Sequence, residues 1–84
     1  MTDNDIITRA NTALAEEFEL EVSSFVPEAL FKEDLNLDSL DAVDMVIALE
    51  KEFGVKIGKD PQLSSIRTVN DLHQYLLKKK AELS

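Results

Sequence analysis

Asp34-Leu35-Asn36-Leu37-Asp38-Ser39-Leu40-Asp41-Ala42-Val43-Asp44-Met45-Val46-Ile47-Ala48-Leu49-Glu50-Lys51-Glu52-Phe53-Gly54 is the run that decides the fold. From Ser39 to Phe53 it reads as one helix, stopped by Gly54, which takes the left-handed geometry of a helix C-terminus without steric cost. At about 100° per residue the run shows two apolar stripes. Ala42, Met45, Val46, Leu49 and Phe53 form the stripe that faces a core. Leu40, Val43 and Ile47 form a second, nearly opposite, beside Asp44 and Lys51. A single buried face does not require this second stripe. Either the preceding loop covers it or it is offered to a partner.

Ser39 stands where a long loop, Glu19 to Leu37, turns into that helix. A hydroxyl at a helix start lies beside unpaired backbone amides and the positive end of the helix dipole, which suits a phosphate. Alternatively, Ser39 merely fills the first turn. It has no base of its own in the sequence, so covalent chemistry on it has to be performed by another protein. The absence of cysteine means that any thiol has to come from an added group.

Working outward, Ile6, Ala10, Ala13, Leu14 and Phe18 recur at steps of three or four and predict a first helix over Asp3 to Phe18. Thr2 with Asp5 three residues later supplies its N-terminal cap. Between Glu19 and Leu37 the periodicity breaks and Pro27 interrupts. Leu20, Val22, Phe25, Leu30, Phe31 and Leu35 are scattered there, and should tack the loop onto the core. So long a loop in a small domain tends to be functional. After Gly54, Val55-Lys56-Ile57 alternates too briefly for a strand. Asp60-Pro61 opens a single helical turn to about Ser65, with Leu63 and Ile66 inward. Thr68, with Asp71 three residues on, caps a last helix whose stripe is Val69, Leu72, Tyr75, Leu76 and Leu83. Lys78, Lys79 and Lys80 fall in its last turns, where positive charge is favoured.

Composition narrows the function. Eighty-four residues make one small domain, and 44% hydrophobic content with two glycines and two prolines argues for a mostly helical, aliphatic core. A formal charge of −8 argues against nucleic acid and anionic membranes, and for steering toward basic patches on other proteins. The first residues lack the basic-then-apolar pattern of a secretion signal, and no apolar run is long enough to span a bilayer. The expectation is a cytoplasmic protein.

Catalysis is poorly supported. His73, the one histidine, is distant in sequence from Ser39 and edges an apolar stripe, which reads as structural. The two glycines are isolated, so there is no phosphate-cradling loop. Asp34, Asn36 and Asp38 match the opening of a calcium loop, but Ser39, Asp41 and Met45 stand where that loop needs Gly, an apolar residue and Glu. No metal site and no catalytic residue are expected.

Asp38 to Phe53 closely resembles the second helix of acyl carrier proteins. Phe31-Lys32-Glu33-Asp34-Leu35 before it and Ile66-Arg67-Thr68-Val69-Asn70-Asp71-Leu72 after it fit the same family, so the resemblance runs from about residue 5 to 80. Asp38-Ser39-Leu40 alone would be a weak signal; its place in the longer pattern makes it specific. The resemblance implies one acyl-carrier-type domain over residues 1–84, folded as an all-α four-helix bundle with a long first loop and a short third helix. It implies that Ser39 receives 4′-phosphopantetheine from coenzyme A, through a phosphopantetheinyl transferase using magnesium, making the chain a phosphoprotein. Acyl groups would ride on the arm's thiol as thioesters. Asp38 and Leu40 would flank the attachment point. Asp41, Asp44, Ile47 and Glu50 would contribute to docking, and Val46, Leu49, Phe53, Ile66 and Tyr75 would border a cavity for the acyl chain.

The expected partners are the transferase and acyl-transferring and ketosynthase-type enzymes with basic docking patches, met by a monomer. Residues 33 to 52 support this with seven acids against one base, Lys51, a local net of −6. The alternative is an unmodified acidic adaptor that binds a basic partner through the same helix. Some positions depart from the family. Asn36 stands where a glycine is usual, and tolerates left-handed backbone better than most residues. Lys51, Lys56 and Lys59 thin the usual negative charge. These changes set the chain apart from the usual fatty-acid-synthase carriers, and the expected setting is fatty acid or polyketide-type biosynthesis, aryl polyene pathways included.

Overall fold

The first helix, α1 (Asp3–Phe18), begins where Thr2 and Asp5 exchange hydrogen bonds: the Thr2 hydroxyl accepts the Asp5 amide and the Asp5 carboxylate accepts the Thr2 amide, both at 3.1 Å. It ends at Glu19, which turns left-handed at φ 55°. The computed structural model describes residues 2–83, and among them the regular structure is helical, with no strand. Ile6, Ala10, Leu14 and Ala15 make the buried face of α1. None of the helices is long and apolar enough to cross a membrane, among the described residues.

The loop after α1 is built, not slack. It carries one short 3-10 turn, Val22–Ser24, and buries Phe25, Ala29, Phe31, Leu35 and Leu37. Its backbone is stitched to the residues that open α3 (Val69–Lys78). The Val69 amide donates to the Ala29 carbonyl and the Asn70 amide to the Pro27 carbonyl, both at 2.9 Å. Phe31 N–H donates to Arg67 O at 3.0 Å, beside an isolated antiparallel bridge between Leu30 and Thr68. Loop carbonyls thus fill amides that a helix start leaves without partners. Thr68 and Asp71 close a second capping box at the same place.

α2 (Ser39–Phe53) packs on α1 and stops at Gly54, whose φ is 67°. Arg9 of α1 clamps this end. Its Nη2 donates to the Glu52 carbonyl at 2.8 Å, its Nε meets the Glu52 carboxylate at 2.7 Å, and its guanidinium lies 5.3 Å from the Phe53 ring centroid. A cation at a helix C-terminus is favoured, here supplied by a neighbouring helix.

The turn after Asp60 is helical over Pro61–Ser65, as its sequence indicates, and is of the 3-10 type. One expectation for the C-terminal third changes. The last helix is broken: α3 ends at Lys78, Lys79 sits at φ −95°, ψ 10°, and α4 (Lys80–Leu83) follows. Lys79 N–H tightens onto Leu76 O at 3.0 Å while its ammonium reaches Asp60 at 3.0 Å. The apolar stripe survives the break, for Val69, Leu72, Tyr75, Leu76 and Leu83 are all buried. His73 is 4% exposed, and its Nε2 lies 2.7 Å from Asn11 Oδ1, bridging α3 to α1.

Candidate functional site

Asp38 caps α2. Its carboxylate accepts the amides of Leu40 and Asp41 at 2.9 and 3.2 Å, and the Asp41 carboxylate accepts the Asp38 amide at 3.1 Å. Ser39 is therefore the first residue of the helix, and its side chain is exposed. Among the described residues, no protein group hydrogen-bonds its hydroxyl. The amides read from the sequence as unpaired are partly filled, because Asp38 occupies two of them. The helix dipole remains, and the Ser39 amide has no partner among the described residues. The turn that delivers Ser39 depends on Asn36, which adopts φ 61°. It also depends on Asp34, whose carboxylate accepts the Leu30 amide at 2.8 Å. Both carboxylates of the abortive calcium pattern, Asp34 and Asp38, are thus committed to backbone amides.

Ser39 lies at the mouth of a groove of about 490 Å³ between the loop, α2 and the 3-10 turn. Phe31, Ala42, Met45, Leu63 and Ile66 line this groove and also a smaller apolar cavity of about 80 Å³, so the two adjoin. Val46, Leu49 and Leu72 complete the cavity. Of the five residues expected to border it, Val46, Leu49 and Ile66 do. Phe53 and Tyr75 do not. Phe53 lies at the far end of α2 beneath Arg9, and Tyr75 turns its hydroxyl to Asp60 at 2.9 Å. An apolar cavity offers water no partners and takes apolar groups instead.

On the outer face of α2, Leu40, Val43 and Ile47 are 79%, 61% and 44% exposed, so the loop does not cover the second stripe. Asp44 is exposed beside them. Glu50 has a structural task that the sequence did not announce. Its carboxylate accepts the amides of Ile57 and Gly58 at 2.8 and 3.0 Å, tying the segment after Gly54 back to α2. Those two bonds hold its carboxyl below the ordinary carboxylate range. The Asp38–Asp41 box was discoverable, since it repeats the three-residue spacing of Thr2–Asp5 and Thr68–Asp71. No local signal announces Glu50, because its partners lie seven and eight residues on.

A family model described as a phosphopantetheine attachment site matches residues 11–76. That match covers most of the chain and defines the class: a carrier domain that bears a covalent phosphopantetheine group. The chain is 38% identical over 81 residues to an acyl carrier protein of Thermosynechococcus vestitus, covering 96% of this chain and 99% of that one. It is 36% identical over 84 residues to an acyl carrier protein of Cyanidioschyzon merolae, covering all of this chain and 91% of that one. The chain belongs to the acyl carrier protein family. Membership implies a covalently attached 4′-phosphopantetheine and the work of a carrier rather than a catalyst.

Proposed function

We propose that Ser39 is the attachment point for 4′-phosphopantetheine, transferred from coenzyme A by a phosphopantetheinyl transferase. In this reading the protein shuttles acyl groups between enzymes of fatty acid or polyketide-type biosynthesis, aryl polyene pathways included. The observation that carries the reading is the free, exposed Ser39 hydroxyl at the start of α2, at the mouth of a groove adjoining an apolar cavity. The residues fit the group. A phosphodiester on Ser39 Oγ would sit at the positive end of α2, beside a groove of about 490 Å³ that Ser39 helps to line. When bound, the arm supplies the terminal thiol that holds acyl groups as thioesters.

The chain's own residues do the rest. Among the described residues no group hydrogen-bonds the Ser39 hydroxyl, and the Asp38 and Asp41 carboxylates beside it are engaged by backbone amides, so the transferase has to take its proton. Asp38 and Asp41 fix the turn that presents it. Asp44 supplies exposed negative charge, and Leu40, Val43 and Ile47 offer small apolar contacts beside it. Predominantly negative charge beside a modest apolar strip gives fast encounters and weak complexes, as a shuttle requires. The proposed setting is the cytoplasm, with the chain monomeric so that α2 stays open to basic docking patches on the transferase and the synthases.

Incubation with coenzyme A and a broad-range transferase tests the reading by intact mass. A gain in the wild type that is absent in Ser39→Ala supports it. No gain, with binding to basic partners retained in Ser39→Ala, would favour an unmodified adaptor.

A further inference from the structure

We propose that Asp60, acting through Tyr75 and Lys79, sets the length of acyl chain the cavity accepts, by fixing the wall made by Pro61–Ser65. The inference rests on the carrier reading above.

The cavity has firm sides and one light one. Val46 and Leu49 come from α2, Leu72 from α3 and Phe31 from the stitched loop. Leu63 and Ile66 close the remaining side from the 3-10 turn and the residue after it. That turn buries little of itself: Pro61, Gln62, Ser64 and Ser65 are exposed, and Leu63 and Ile66 are half-buried. Its hydrogen bonds are local, Leu63 N to Asp60 O, Ile66 N to Leu63 O, and the Ser64 and Ser65 hydroxyls to the Pro61 and Gln62 carbonyls. Behind it, an open space of about 190 Å³ separates Gln62 and Ser65 from Gln74, Tyr75 and Lys78 of α3. Packing does not back the wall on that side.

Asp60 does. One carboxylate oxygen accepts the Gln62 amide at 2.9 Å and so caps the turn. The other accepts the Tyr75 hydroxyl at 2.9 Å and meets the Lys79 ammonium at 3.0 Å. Lys79 also lies 5.6 Å from the Tyr75 ring centroid. The Gln62 amide, then Lys79 and Tyr75, hold the Asp60 carboxyl below its ordinary range, so the latch stays charged at neutral pH. Hydrogen bonds to an ionised group are roughly twice as strong as neutral ones. The Asp60 carboxylate fastens the wall to α3 and its C-terminal cap residue, Lys79, at the point where α3 breaks. The break at Lys79 is part of the latch.

Two variants release it without removing apolar bulk. Asp60→Asn keeps a capping oxygen for Gln62 but loses the charge that holds Lys79. Tyr75→Phe keeps the ring and loses the hydroxyl. The first readout uses the unloaded protein, by amide hydrogen exchange. The amides of residues 62–66 should exchange about tenfold faster in each variant, with α1 amides unchanged. The second loads a graded series of acyl chains and measures thioester protection against hydroxylamine. In the wild type, protection should rise roughly fourfold per sheltered methylene and then level off when the cavity is full. Both variants should level off at longer chains. Faster exchange with an unshifted plateau overturns the proposal, and so does unchanged exchange. Failure of the wild type to load at all would count against the carrier reading and leave the exchange comparison to decide the latch.

Discussion

Asp38 and Asp41 each accept the other's backbone amide, at 3.1 and 3.2 Å, so two of the acids around Ser39 are committed to holding the helix start. The negative charge at the delivery point therefore has a structural duty as well as a steering one. Asp38→Ala should lower stability by about 1 kcal/mol, while Asp38→Asn should be nearly neutral, because Asn caps equally well. Urea denaturation checks this through the midpoint. The same pair separates charge from cap in modification assays: a slower transferase reaction with Asn assigns part of the rate to steering.

Arg9 makes a comparable link at the other end of α2. Its side chain is 42% exposed, so the ion pair with Glu52 is largely screened. The bond to the Glu52 carbonyl and the contact with the Phe53 ring are less sensitive to salt. Arg9→Met should cost about 1 kcal/mol, with most of the loss persisting in concentrated sodium chloride. A loss that salt abolishes would show the ion pair to be the larger contribution.

Asn36 and Glu19 are the described non-glycine residues with left-handed backbone, and Asn36 is the one in the turn before Ser39. At φ 61° a β-branched side chain meets its own carbonyl. Asn36→Val should destabilise by roughly 1–2 kcal/mol, and Asn36→Gly should be neutral or better. Thermal melts of the two variants give the comparison, and equal melting temperatures would contradict the strain argument.

His73 gives the protein a mild acid sensitivity. Burial lowers its pKa from 6.5, so the folded state binds its proton less readily than the unfolded state does. Its neutral form bonds Asn11, and that stability is present above the unfolded pKa and declines as pH falls below about 6.5. Carboxylates held below their ordinary values, Asp5, Glu50, Asp60 and Asp71, add a second decline at lower pH. They too contribute above their unfolded pKa and lose that contribution in acid. His73→Gln should flatten the stability curve between pH 7 and 5 alone, as read by denaturation at each pH. A curve parallel to the wild type in that window would contradict the burial argument.

The helices were legible because their signals are local. Apolar residues at steps of three and four, Thr2–Asp5, Thr68–Asp71 and Gly54 mark ends that the structure keeps within a residue or two. The scattered apolar residues of the loop pointed to its anchoring, which Phe25, Phe31 and Leu35 provide while Val22 stays exposed. What stayed hidden depends on contacts between distant segments. Tyr75 belongs to the apolar stripe, yet its hydroxyl is drawn to Asp60, so periodicity could not tell core from cavity. Lys79 sits where the helix breaks, and its ammonium meets Asp60, nineteen residues back, a pairing that local periodicity does not show. Phe53 shares the stripe of Val46 and Leu49 but lies about a turn beyond the cavity, under a cation from α1.

Peptide-resolved mass spectrometry of the protein isolated from its source, with the pathway active, tests the central claim most directly. The account predicts a phosphopantetheine adduct on the peptide containing Ser39, with part of the population acylated at its thiol. A bare Ser39 peptide throughout, or an adduct at another residue, would contradict it.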